Sequence, residues 1–340
     1  MNITRVGIDL AKNSFSLCAV DAHGSIVLER TIKRCDLLSV MANIPSSIVA
    51  MEAGSGAHYW ARELTKLGHD ARIIDARFVA PYRTGGKTRK NDRNDAHAIV
   101  EASSRPHMRF VPVKSDEQQA VLLIHRRRSS LVTEKTRTVN QIRGFLAEFG
   151  VVAPRGVSTL KAKWHEIRLA HAQRLPALVW QELDPLYDKL LELHKEILGY
   201  DRKIAALNKE NRQAQKLMAL HGVGPLTASA IVATVGNASL FKNGRQFSAW
   251  LGLTPREYST GGVTRLGHIS KRGDEYLRTL LIHGARTELM YSHKREDNKS
   301  QWVENLKKSK SWNQVAVALA NKHARIIWAM LARDEEFKPA

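Results

Sequence analysis

ITRVGIDLAKNSFSLCAVDAHGSIVLERTI, Ile3 to Ile32, decides how the first third of the chain folds. It holds three apolar or alternating runs, "ITRVGIDL", "SFSLCAVD" and "GSIVLERTI", separated by short turns such as Asp21-Ala-His-Gly24. Alternation of this kind predicts half-buried strands, and short turns between strands predict an antiparallel meander. Outward from it, "CDLLSVMANI" reads as helix and "SSIVAMEA" as a buried strand. "AHYWARELTKLG" has helical periodicity that stops at Gly68, "DARIIDA" is another strand, and a helix starts in "NDRNDAHAIV". The order β-β-β-α-β-α-β-α predicts an α/β domain built on one mixed sheet.

The 340 residues carry 53 Lys and Arg against 33 Asp and Glu, a net charge of +20. With 43% hydrophobic residues the chain can bury a core, which excludes a disordered polycation. A globular chain this basic points to a polyanion, nucleic acid above all. No apolar run stands out as long enough to span a membrane, and no signal peptide follows Met1. Cys18 and Cys35 form neither a disulfide framework nor a zinc site. A cytoplasmic protein with no membrane partner is expected.

Beyond Ser115 the strand signals fade. From Arg105 to Arg174 there are 14 Lys or Arg and 5 Asp or Glu. Leu183, Leu186, Leu190, Leu193, Ile197, Tyr200, Ile204 and Leu207 follow a 3-4 spacing, the seam of a coiled coil, with Pro185 expected in the first turn of its helix. The seam suits either a second copy or the preceding basic helix. A third unit opens near Leu217 and is mainly helical, giving expected domains at 1–112, 113–215 and 216–340.

Four acids stand where chemistry would need them. Asp9 and Glu52 end two strands, and Asp92 and Asp95, three apart, share one helix face. In open α/β sheets, sites collect at strand ends. Carboxylates gathered there suit Mg²⁺ or Mn²⁺, and two such ions can clamp a phosphodiester. Three of the acids have a plainer reading, Asp9 as a strand end, Asp92 as a helix cap and Asp95 as a complement to the helix dipole, whereas Glu52 in an apolar strand is harder to dismiss because charges are rarely buried unpaired. Around the second pair, Arg83, Lys87, Arg89, Lys90 and Arg93 suit phosphate.

"GIDLAK…MEAGSG…KNDRNDA" resembles the DEDD signature of insertion-sequence transposases with a RuvC-like, RNase H-type domain, and Piv-type DNA invertases are similar. "GLTP…STGG…SKRG" is similar to the C-terminal transposase domain of the same family. The resemblance implies a site-specific recombinase acting on donor and target DNA with a noncoding bridge RNA, as a dimer or tetramer. It assigns Asp9, Glu52, Asp92 and Asp95 to a metal site that holds two Mg²⁺ or Mn²⁺. It also implies a hydroxyl nucleophile just before a glycine. Spacing from Gly252 and Pro255 favours Thr260, while lower steric crowding favours its neighbour Ser259.

The remaining cations fit this expectation. Arg126, Arg127, Arg128, Arg137, Asn140 and Arg143 could hold nucleic-acid backbone, and Arg265, Lys271 and Arg272 flank the hydroxyls. "HGVGPLTA" suits either a phosphate-binding hairpin or a tight turn between helices. Two other functions fit the residues: a junction-resolving nuclease that uses water, and an RNA-binding protein with a degenerate site. The expected place of work is a prokaryotic nucleoid.

Overall fold

The computed structural model describes residues 2–83 and 92–337. Lys87, Arg89 and Lys90, and the side chain of Asp92, lie outside the described residues. The chain divides into two compact units, Met1–Glu117 and Gln118–Ala340.

The first unit runs β1 (Arg5–Leu10), β2 (Ser14–Val20), β3 (Ile26–Lys33), α1 (Leu37–Ala42), β4 (Ile48–Glu52), α2 (Ala57–Lys66), β5 (Asp70–Ile74), α3 (Ala76–Val79), α4 (Asp92–Ser103) and β6 (Phe110–Val111). The sheet order is β3-β2-β1-β4-β5-β6. Strands β1 to β3 form the antiparallel meander, and β4 and β5 run parallel to β1. The sequence reading did not include β6, whose two residues are too few to show a period; it adds antiparallel to β5.

Strand alternation separates two layers. Val6, Ile8, Val49 and Met51 point to the side covered by Leu37 and Met41 of α1 and Ala57, Trp60 and Leu64 of α2. Ala50 and Ile74 point the other way, onto Ala98, Ile99 and Ala102 of α4. Gly7 faces α4 as well. A Cβ on Gly7 would lie 2.5 Å from the Ala96 carbonyl and 2.6 Å from Val100 Cγ2. The missing side chain therefore lets α4 lie directly on β1.

The second unit contains α5 from Gln118 onward (the helix spans Asp116–Glu148), α6 (Val157–His171), α7 (Ala177–Glu210), α8 (Arg212–Met218), α9 (Pro225–Val235), α10 (Gly244–Trp250), the hairpin β7 (Pro255–Glu257) and β8 (Leu266–Ile269), α11 (Glu275–Tyr291), α12 (Asn298–Lys307) and α13 (Trp312–Ala332). The seam of α7 is used within the chain. Leu183 and Leu190 pack with Val139, Ile142 and Leu146 of α5 and Trp164 of α6, and Leu193 and Ile197 pack on Leu131. Arg128–Asp201 and Lys189–Glu134 ion pairs fix α5 and α7 as antiparallel partners. Of the two options the sequence left, the seam takes the basic helix. Pro185 is not in the first turn: α7 begins at Ala177, behind Pro176 and eight residues before Pro185, so Pro185 lies inside the helix.

A second correction concerns α13. Its 21 residues are long and apolar enough, by length and composition, to cross a membrane. In the structure Val315, Leu319, Ala324 and Ile327 are fully buried in the core of the second unit. The sequence reading overlooked this run because Lys322, His323 and Arg325 interrupt it.

Candidate active site

The acids of the first unit meet through sheet register. Ile8 pairs with Met51 across the parallel β1–β4 contact, so Asp9 and Glu52 are neighbours one step further on. Both fall on the α4 side, in alternation with the buried Ile8 and Met51. Asp95, only 5% exposed, comes down on that side from the first turn of α4. Asp92 opens the same helix three residues earlier.

Arg83 joins two of these acids. Its Nη2 lies 2.7 Å from Glu52 Oε2 and its Nε lies 2.7 Å from Asp95 Oδ1. Glu52 and Asp95 are thus close enough to share one guanidinium. The sequence reading gave Arg83 to phosphate; in the structure its partners are carboxylates. Arg93 is turned away toward Glu29 of β3, at 3.5 Å, where His97 also points.

The donor set suits a hard divalent ion, since it is carboxylate oxygen and already holds a cation between two members. Among the described residues, however, no three His, Cys, Asp or Glu side chains converge as an ion site. Glu52 and Asp95 are brought together, and Asp9 is placed beside Glu52 by the register.

In the second unit the hydroxyls lie on the β7–β8 hairpin. Its base is locked by backbone packing. Ser270 N–H donates to the Thr254 carbonyl at 2.8 Å and Lys271 N–H to the Gly252 carbonyl at 3.1 Å. Gly252 and Gly273 both have positive φ, and a Cβ on either would strike opposing backbone. This is how "GLTP" and "SKRG" pack against each other at the base of the hairpin. At the tip, Thr260 and Val263 exchange backbone hydrogen bonds across Gly261 and Gly262, whose φ values of 57° and 80° make the turn.

The two hydroxyls differ in their surroundings. Ser259 Oγ donates to Glu257 Oε1 at 2.5 Å and accepts from the Arg265 N–H at 3.2 Å. Thr260 is committed through its backbone to the turn. The sequence reading passed over Glu257. The signal for it was alternation, which puts residues 257 and 259 on the same face of an extended strand. Arg265 lies across from the serine, whereas Lys271 and Arg272 sit at the hairpin base, six and seven residues further along the chain.

The cations of α5 also sort into two groups. Arg128 is bound to Asp201 at 2.6 Å, and Arg143 Nη2 donates to the Pro154 carbonyl at 2.8 Å, so both hold the helical arm together. Arg127 lies 3.7 Å from Glu196 on the surface. Arg126, Arg137 and Asn140 are exposed on the outer side of α5. The "HGVG" turn is a packing device: a Cβ on Gly222 would lie 2.8 Å from the Gly284 carbonyl of α11.

Comparison with known proteins gives the following matches. A family model described as the transposase of the IS116/IS110/IS902 family matches residues 214–301, and a DEDD transposase model of the IS110 type matches residues 6–150. A probable family 20 transposase of Pseudomonas aeruginosa is 48% identical over 340 residues, covering 100% of both chains. The transposase for insertion sequence element IS1111A of Coxiella burnetii is 40% identical over 337 residues, 99% of this chain and 92% of that one. A pilin gene-inverting protein of Moraxella bovis is 20% identical over 353 residues, 99% of this chain and 98% of that one. The six-stranded mixed sheet is that of an RNase H-like DEDD domain, followed by a helical C-terminal region.

Proposed function

Because the chain belongs to the IS116/IS110/IS902 family of transposases, and is therefore an enzyme that cleaves and recombines DNA, we propose that it moves its insertion sequence through a covalent serine–phosphate link. The observation that carries this reading is the Ser259–Glu257 hydrogen bond on an exposed hairpin. A serine hydroxyl is a weak nucleophile until a base takes its proton. Glu257 stands ready for that proton, and the Arg265 N–H fixes the direction of Oγ. In the step, an Oγ–P bond forms and the P–O bond to the leaving deoxyribose oxygen breaks. The Oγ proton passes to Glu257, and the leaving oxygen takes a proton from water. Attack by the hydroxyl of a new strand reverses the sequence, so the phosphodiester energy is retained and no nucleotide cofactor is required.

Asp9, Glu52, Asp92 and Asp95 would hold the divalent ions, Mg²⁺ or Mn²⁺ and two per site. Bound ions would neutralise charge on the phosphate oxygens. The labour would be divided along the chain, with the acids in 1–112, a nucleic-acid-binding arm in 113–215 and the hydroxyl in 216–340. A bridge RNA pairing with donor and target DNA fits the exposed Arg126, Arg137 and Asn140, which offer backbone contacts without reading sequence. Copies of the chain would assemble as a dimer or tetramer through surfaces other than the α7 seam, which is filled from within. The work would be done at the nucleoid of a bacterial cytoplasm.

The test is an incubation with DNA carrying the element's junction, its flanking noncoding RNA and Mg²⁺, run on a denaturing gel. Wild type and Thr260→Ala should give DNA-linked protein, and Ser259→Ala should give none. Cut DNA with no linked species in any sample would instead support water as the nucleophile, as in a junction resolvase.

A further inference from the structure

Arg83 sits where the acid site needs a positive charge. It follows the 3-10 turn Ala80–Tyr82, and its guanidinium spans Glu52 Oε2 and Asp95 Oδ1 at 2.7 Å each. The Asp95 side chain is 7% exposed and that of Glu52 26%, so water screens this pair of carboxylates poorly. Two such carboxylates repel unless a cation lies between them. In the chain alone, that cation is the protein's own. The Arg83 side chain remains 35% exposed, which leaves it a way out. Its buried Nε–H is not aligned on an acceptor, so the ion contact to Asp95 lacks a full hydrogen bond.

We propose that Arg83 is an exchangeable counter-cation: it occupies the ion position between Glu52 and Asp95 in the free protein and leaves it for a nucleic-acid phosphate. Guanidinium binds carboxylate and phosphate by the same paired geometry, so the arginine can trade one for the other. The exchange keeps charge balanced. As Arg83 moves onto a phosphate, the carboxylates are freed for a divalent ion, which loads beside the substrate. Without nucleic acid, the ion must displace the arginine, and its apparent affinity falls by the fraction of molecules in which the position is open. The acid site is thereby kept from cutting until DNA or its RNA partner is in place.

The inference rests on the reading that Glu52 and Asp95 hold a divalent ion, and the experiment separates the two. Mn²⁺ is titrated into the full chain without nucleic acid, and free Mn²⁺ is counted from its paramagnetic resonance signal. Arg83→Gln should bind Mn²⁺ about tenfold more tightly than wild type, and adding Glu52→Gln to it should remove the gain. In a second arm, a junction DNA duplex, corrected for the Mn²⁺ it binds alone, should tighten binding by wild type. This arm decides the matter by itself should Arg83→Gln fold poorly. If wild type binds Mn²⁺ through Glu52 but neither the substitution nor DNA tightens it, the counter-cation role is overturned and the ion site stands. If no sample shows Glu52-dependent binding, both are overturned.

Discussion

Glu52→Gln should lower strand cleavage by at least about 1,000-fold while leaving the fold in place. The substitution keeps the side chain's volume and an oxygen that can still accept from Arg83, so the packing of β4 against α4 is undisturbed. What it removes is one negative charge beside Asp9 and opposite Asp95. Charge stabilisation at a metal-assisted phosphoryl centre is worth several kcal/mol, and about 4 kcal/mol corresponds to roughly 1,000-fold in rate. The check is single-turnover cleavage of junction DNA together with a thermal melt. Unchanged cleavage by a folded variant would remove Glu52 from the site.

Gly7→Val has a different signature, because it acts on position rather than charge. Even a single Cβ there meets the Ala96 carbonyl at 2.5 Å, Val100 Cγ2 at 2.6 Å and the Val100 nitrogen at 2.9 Å. Two of these three are backbone atoms of α4, which cannot turn aside as a side-chain end could. The helix must lift, and overpacking of this kind costs about 1–3 kcal/mol. Asp95 rides on the lifted helix and moves from Glu52. Both the melting temperature and cleavage should fall together, whereas Glu52→Gln lowers cleavage alone. A Gly7→Val protein with wild-type stability would show that α4 does not press on β1.

Much of this arrangement was legible from residue order. The meander, the strand–helix alternation that implies one mixed sheet, and the strand-end acids follow from apolar period and turn spacing, because each is a local property. Arg83 was legible as a cation but not as a partner of Glu52 and Asp95, since that contact depends on where the chain goes after β5. The same holds for Arg128 and Arg143, which look like phosphate ligands in sequence and turn out to tie α5 to Asp201 and to the Pro154 carbonyl. A lone arginine carries no mark of whether its carboxylate partner lies 73 residues away. The start of α7 was not legible because Pro185 suits a first turn, yet the helix is capped at Pro176 and runs on through Pro185, with Trp180 buried in the core of the arm. Gly7 looked unremarkable in sequence, since closeness of a helix to a strand leaves no periodic trace.

The most direct measurement is the source of oxygen in the cleaved and rejoined phosphate. Recombination is run in water enriched in ¹⁸O, and the joined strands are digested and weighed. Transfer through Ser259 Oγ moves phosphate between protein and DNA hydroxyls, so the account predicts no ¹⁸O in the joined phosphodiester and none in any cleaved end still linked to protein. Incorporation of ¹⁸O into the phosphate of cleaved ends, at one atom per cut, would mean that water attacks phosphorus and would contradict the serine route.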